Sequence, residues 1–196
     1  MDWGTIIGLI AVIVSTIGYL PYIINVFLAK TKPHAFSWLI WAVLTGISSV
    51  VQLTEGAGPG AWVTIATSIS TGFIFVLSFK YGTHDIKRFD WIILFSAFVA
   101  IIPWVITRDP LLSIILVTFI QVSGFLPTAR KVYKHPHEET AVTFVANGAK
   151  FYLGIFALSA FSIETVFFPL IAGSANIALV VLIIARRRTH ENNRDR

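Results

Sequence analysis

Lys150 is the one Lys, Arg, Asp or Glu deep inside any apolar run of the chain, about nine residues from either end of the segment 141–159. A charge at mid-membrane costs about 2.5–3.5 kcal/mol even on lenient insertion scales, so such a residue normally faces a cavity or a partner. Asn147 lies one turn earlier on much the same helix face, because i and i+3 are neighbours. Three chemistries are open for this pair. A charged amine would draw an anionic or carboxylate-bearing solute; a neutral amine would exchange a proton; an amine stretched toward the interface would do neither. No carboxylate lies at similar depth to pair with it. Asn176 and Ser70 are polar groups in the middle of the runs 164–186 and 61–80. Read from the residues alone, each bonds across helices, worth about 1 kcal/mol in a membrane. Trp38 and Trp41 open the run 36–54; Trp38 reads as an interfacial anchor, and Trp41, one turn deeper, as an anchor or a pocket wall.

Other chemistry is thinly represented. There is no cysteine, which removes disulfides, thiolates and cysteine metal sites. No Walker loop, HExxH, GxSxG or dinucleotide fingerprint occurs, so no cofactor, ATP hydrolysis or covalent nucleophile is expected, and the chain does not read as an enzyme. KHPHEET at 134–140 clusters two histidines and two glutamates; it reads as a solvated turn rather than a metal site.

These residues need elements that can hold them in lipid. The chain of 196 residues is 56% hydrophobic and 13% charged, about half the charge of a soluble domain. Seven apolar runs, roughly 4–28, 36–54, 61–80, 90–107, 111–130, 141–159 and 164–186, approach the length of about 20 residues that a spanning helix needs. The fourth and fifth are separated only by TRDP at 107–110, where a proline disfavours helix in the residue before it. The prediction is an all-α membrane protein with the lipid bilayer as its surroundings.

Basic residues give a direction. Thirteen of them fall in alternate loops and the tail: Lys30 and Lys32; Lys80, Lys87 and Arg88; Arg130, Lys131 and Lys134; and Arg186, Arg187, Arg188, Arg194 and Arg196. The opposite loops hold only Arg108. The positive-inside rule then places the C-terminus in the cytoplasm and the N-terminus outside, in a cell membrane such as the bacterial inner membrane. The net charge of +5 is spread between apolar runs, which argues against a nucleic-acid partner. Trp3, Trp62, Trp91 and Trp104 lie near run ends, as an aromatic belt requires.

The chain also repeats itself. GYLP at 18–21 returns as GFLP at 124–127, an offset of 106, and the ungapped register carries Val26 onto Val132, Ala35 onto Ala141, Ile65-Ala66 onto Ile171-Ala172 and Lys80 onto Arg186. Each copy covers three runs. Three is odd, so run four is needed to make the copies parallel, and the predicted plan is 3+1+3. The predicted boundaries are 1–84 and 110–187 for the copies, 85–109 for the linker and 188–196 for a basic tail. A proline inside a helix loses a backbone hydrogen bond and kinks it. Gly18 with Pro21 and Gly124 with Pro127 therefore read as a pair of hinges.

GYLPYIINV, GFLPTARKV and the 3+1+3 plan resemble the PQ-loop/MtN3 superfamily, which includes the SWEET sugar transporters, lysosomal amino-acid exporters and KDEL receptors. The resemblance implies a seven-helix fold and alternating access around a central site between the repeats, the place where parallel-repeat transporters bind. It also implies a substrate contact at Asn176, with Ser70 as its counterpart in the first copy. The expected function is transport of a small polar solute. The competing expectation is a receptor of the same fold that binds a carboxylate-bearing ligand without net transport. A homo-oligomer is left open.

Overall fold

The computed structural model describes residues 2–83, 86–107 and 109–194. Arg108 and Arg196, the boundary between residues 84 and 85, and the side chains of Trp104 and Arg194 lie outside the described residues. The described chain is helical, with no strand among its residues. Eight α-helices follow in order: α1 Trp3–Phe27, α2 Ala35–Thr54, α3 Trp62–Tyr81, α4 Arg88–Thr107, α5 Pro110–Ser123, α6 Phe125–Lys134, α7 Ala141–Phe156 and α8 Ile163–Arg194.

Local sequence explains the ends. α5 starts on Asp109, whose side chain accepts from the Leu112 backbone N–H at 3.1 Å, and Pro110 takes the first turn, where its missing N–H costs nothing. α1 closes with Ala29 in the left-handed region, φ 55, and the Lys30 N–H returning to the Asn25 carbonyl at 2.9 Å. Five segments are long and apolar enough to cross a bilayer: Trp3–Phe27, Ala35–Thr54, Gly58–Tyr81, Pro110–Lys134 and Ile163–Glu191. α7 is apolar but shorter, with 16 residues. Ile13, Ile17, Leu20 and Ile24 form an exposed stripe on α1, and Ile177, Val181 and Ile184 another on α8. Water would not tolerate such outer faces and lipid would, so the chain is an integral, multi-pass membrane protein.

The packing has a pattern. α3 lies against both α1 and α2; α8 lies against both α5 and α7. Across the middle, α1 packs on α7 and α2 packs on α5. α4 rests on α5 and α2. A shift of 106 residues carries each of the first contacts onto one of the second, and one close crossing has its counterpart at the shifted positions. A methyl added at Gly18 would overlap the Cβ of Ala146, and one added at Gly124 would press on Ile40 Cγ2 at 3.0 Å. Gly18 becomes Gly124 under the shift, and Ile40 becomes Ala146.

The expected pair of kinks takes two different forms. α1 runs unbroken through Pro21. The corresponding span is interrupted at Gly124, and Pro127 falls in the first turn of α6. A proline so placed takes no hydrogen bond from the new helix, since first-turn N–H groups have no partner within it. Both glycines serve close helix approach. α8 continues as helix beyond residue 187 into the basic tail.

Candidate functional site

Trp41, Asn147 and Asn176, singled out from the sequence, come together in the structure. With Tyr19, Gln121, Thr67 and Thr71 they line a cavity of about 10 Å³ among α1, α2, α3, α5, α7 and α8, walled by Phe125, Phe144 and Phe151. That is room for roughly one water. The shift of 106 carries Trp41 onto Asn147 and Tyr19 onto Phe125, so the lining contains two pairs of positions related by it.

Several buried polar atoms here have no protein partner: Trp41 Nε1, Gln121 Oε1 and Asn147 Oδ1. Leaving such a group unpaired costs about 1–3 kcal/mol, so three around one small cavity are a standing demand for a polar guest. Asn176 spends its Nδ2 on the Ala172 carbonyl at 2.8 Å, within its own helix. Trp41 Nε1 would lie 3.0 Å from a methyl added at Gly124, so that glycine also keeps space beside the indole.

Lys150 is fully buried directly beside this lining. Its Nζ donates to Ser15 Oγ and to the Tyr19 hydroxyl, both at 3.0 Å, and sits 4.2 Å above the Tyr19 ring. The Tyr19 hydroxyl is within reach of Asn147 as well. The amine therefore does not stretch to an interface; it is held in the core by two hydroxyls and an aromatic face.

Ser70 falls elsewhere. Its hydroxyl donates to the Ala66 carbonyl at 2.9 Å, and it is absent from the cavity lining. Thr67, one turn earlier, and Thr71, the next residue, present α3 to the cavity instead. Reading across the repeat from Asn176 gave the right helix and the wrong face. Sequence reasoning also missed Tyr19 and Gln121. Tyr19 carried a usable signal, since it stands next to Gly18 as Phe125 stands next to Gly124.

The lysine-rich end of the bundle is closed by polar contacts, several of them between residues 25–37 and residues 128–140. KHPHEET is a solvated turn only in part: Lys134, His135 and His137 are exposed, whereas Glu139 and Thr140 are buried. Glu139 forms a buried ion pair with Lys131 and faces the Tyr22 hydroxyl, which itself accepts from Trp38 Nε1 at 3.1 Å. Thr140 Oγ1 takes the Asn25 amide at 3.1 Å and bonds Thr31 Oγ1 at 2.6 Å. Lys32 pairs with Glu138 at 2.7 Å, and Thr128 bonds Ser37 at 2.9 Å. Burial pushes the Glu139 carboxyl above its ordinary range, against the pull of Lys131. Alongside, Arg130 grips Asp90 at the start of α4 with two bonds of 2.7 Å, and His34 Nε2 stands 3.4 Å from the same carboxylate. Burial holds the His34 imidazole below its ordinary value. The outer mouth of this end is a cavity of about 530 Å³ whose lining includes Lys32, Lys80, Lys131 and Lys134.

No family model matches this chain, and neither does any curated protein or solved structure.

Proposed function

We propose that the chain is a distant member of the PQ-loop/MtN3 superfamily that moves a small polar solute across a cell membrane by alternating access. Seven spans in a 3+1+3 plan would form two parallel bundles with the N-terminus outside, and the lysine-rich end would face the cytoplasm. The observation that carries the reading is the set of unpartnered atoms on Trp41, Gln121 and Asn147 around a cavity too small for a solute. A collapsed polar chamber between two equivalent halves is what an occluded transporter holds between its open states. Rocking about the close crossings at Gly18 and Gly124 would enlarge the chamber, and parting of the Lys131–Glu139 end would open it inward. No catalytic step enters this cycle.

The test is counterflow of labelled solute in vesicles carrying the purified chain. The solute comes from a thermal-shift screen of sugars, amino acids, vitamins and carboxylates, because a ligand that binds only the folded state raises apparent stability. Asn176→Ala and Trp41→Ala proteins should insert normally and lose about tenfold or more of the flux, the worth of one or two lost contacts. Stoichiometric binding without counterflow would replace transport by the receptor reading; unchanged flux in both variants would remove the site.

A further inference from the structure

The chamber has a buried amine on one side and no carboxylate beside it. No Asp, Glu, Lys or Arg lines the cavity itself. Lys150 stands behind Tyr19, and its hydrogen bonds run to two neutral hydroxyls. An ammonium has three donors, so one remains beyond Ser15 and Tyr19. The buried carboxylates Asp90 and Glu139 belong to the lysine-rich end, where Arg130 and Lys131 already engage them. A cationic solute would meet no acid here. A neutral solute would satisfy Trp41, Gln121 and Asn147 but would give the amine no anion to hold its proton. A single negative charge would complete the site. One lysine balances one carboxylate, whereas a phosphate dianion would call for more.

We propose that the solute of this chamber is a small carboxylate whose oxygen takes the place of the Tyr19 hydroxyl on Lys150 Nζ. The inference rests on the transport reading and names its substrate class. Tyr19 is the gatekeeper: its hydroxyl bonds Nζ and its ring lines the cavity, so turning it aside joins the amine to the chamber. The Trp41 indole and the amides beside it then hold the rest of the solute. The outer mouth carries four lysines against Glu138 in the lining and the buried Glu139, an excess of positive charge that would favour such an anion.

The experiment titrates acetate, lactate and succinate, each against its neutral amide, into the detergent-purified full chain, reading thermal shift and tryptophan fluorescence. At least one carboxylate should bind about tenfold or more tightly than its amide, the advantage of a charge-assisted contact. Lys150→Met should fold, because an apolar chain of similar volume replaces a buried charge, and should abolish that preference. Tyr19→Phe removes the hydroxyl that competes for Nζ and should tighten carboxylate binding. Equal response to acid and amide, or a preference that survives Lys150→Met, would overturn the carboxylate assignment. If neutral solutes bind and show counterflow while no carboxylate does, the assignment fails and transport stands. If nothing binds and nothing flows, both fail.

Discussion

His34 shows how much a single side chain at the lysine-rich end contributes to the pH behaviour of the whole. The imidazole is buried beside Asp90, with neither ring nitrogen in a full hydrogen bond. Burial lowers its affinity for a proton below that of an unfolded chain, whose value is about 6.5. The unfolded state therefore takes up the proton first as pH falls. This contribution to stability is complete above the ordinary value and is lost as pH drops from there toward the lowered one. Glu139, raised by burial, acts in the opposite sense, so the test is a difference: between about pH 7.5 and about pH 5 the thermal midpoint of the detergent-solubilised protein should lose more, or gain less, than that of His34→Asn. Equal slopes would mean that other groups set the acid limit. At this scale the sequence was partly legible. Lys150, Asn147, Asn176 and Trp41 could be picked out because polar or aromatic groups stand out in apolar runs. Ser70 misled because a hydroxyl can turn back onto its own helix, as it does toward Ala66. Glu139 was hidden because a charged loop looks solvated until its ion-pair partner, Lys131, is known.

Helix crossings explain the glycines better than bending does. Gly18 faces Ala146 so closely that a methyl would overlap it. Helix propensity alone predicts that Gly18→Ala gains about 1 kcal/mol. Overpacking at the α1–α7 crossing costs about 1–3 kcal/mol. The variant should therefore be less stable than the parent, and Ala146→Gly in the same chain should restore much of the loss. Thermal midpoints of the two single variants and the double variant decide the point; a stabilised Gly18→Ala would mean that the crossing is loose. The repeated GYLP and GFLP were visible as words, and the shift of 106 located both crossings. What the words did not reveal is that the second copy splits into α5 and α6 at Gly124 while the first stays whole. Proline limits where a helix can continue, but neighbours choose between a through-running helix and a fresh start.

For the whole molecule, the apolar runs and their lengths made a membrane bundle readable from composition, since lipid forces backbone groups into helices. How the helices pair was not readable, because every outer face is as apolar as an inner one. The structure places the Lys131–Glu139 contact where α6, the α6–α7 connector and α1 meet, so it should hold that end shut. The chain has no cysteine, so a cysteine placed at Thr128 is the sole thiol. Thr128 is buried against Ser37 at the same end. An impermeant maleimide should label that thiol several-fold faster when Glu139→Gln is added, with thermal stability measured alongside to exclude unfolding. Unchanged labelling would show that the ion pair does not control access.

The pairing of α1 with α7 also sets an order of events at the ribosome. Tyr19 and Ser15 are made well before the amine they hold, which lies 131 and 135 positions later. Until α7 emerges, the early helices sit in the bilayer with hydroxyls and a bare glycine seam turned toward lipid. Lys150 in turn enters hydrocarbon with its shelter already waiting. The hydroxyls of Ser15 and Tyr19 thus find this partner only when α7 docks on α1.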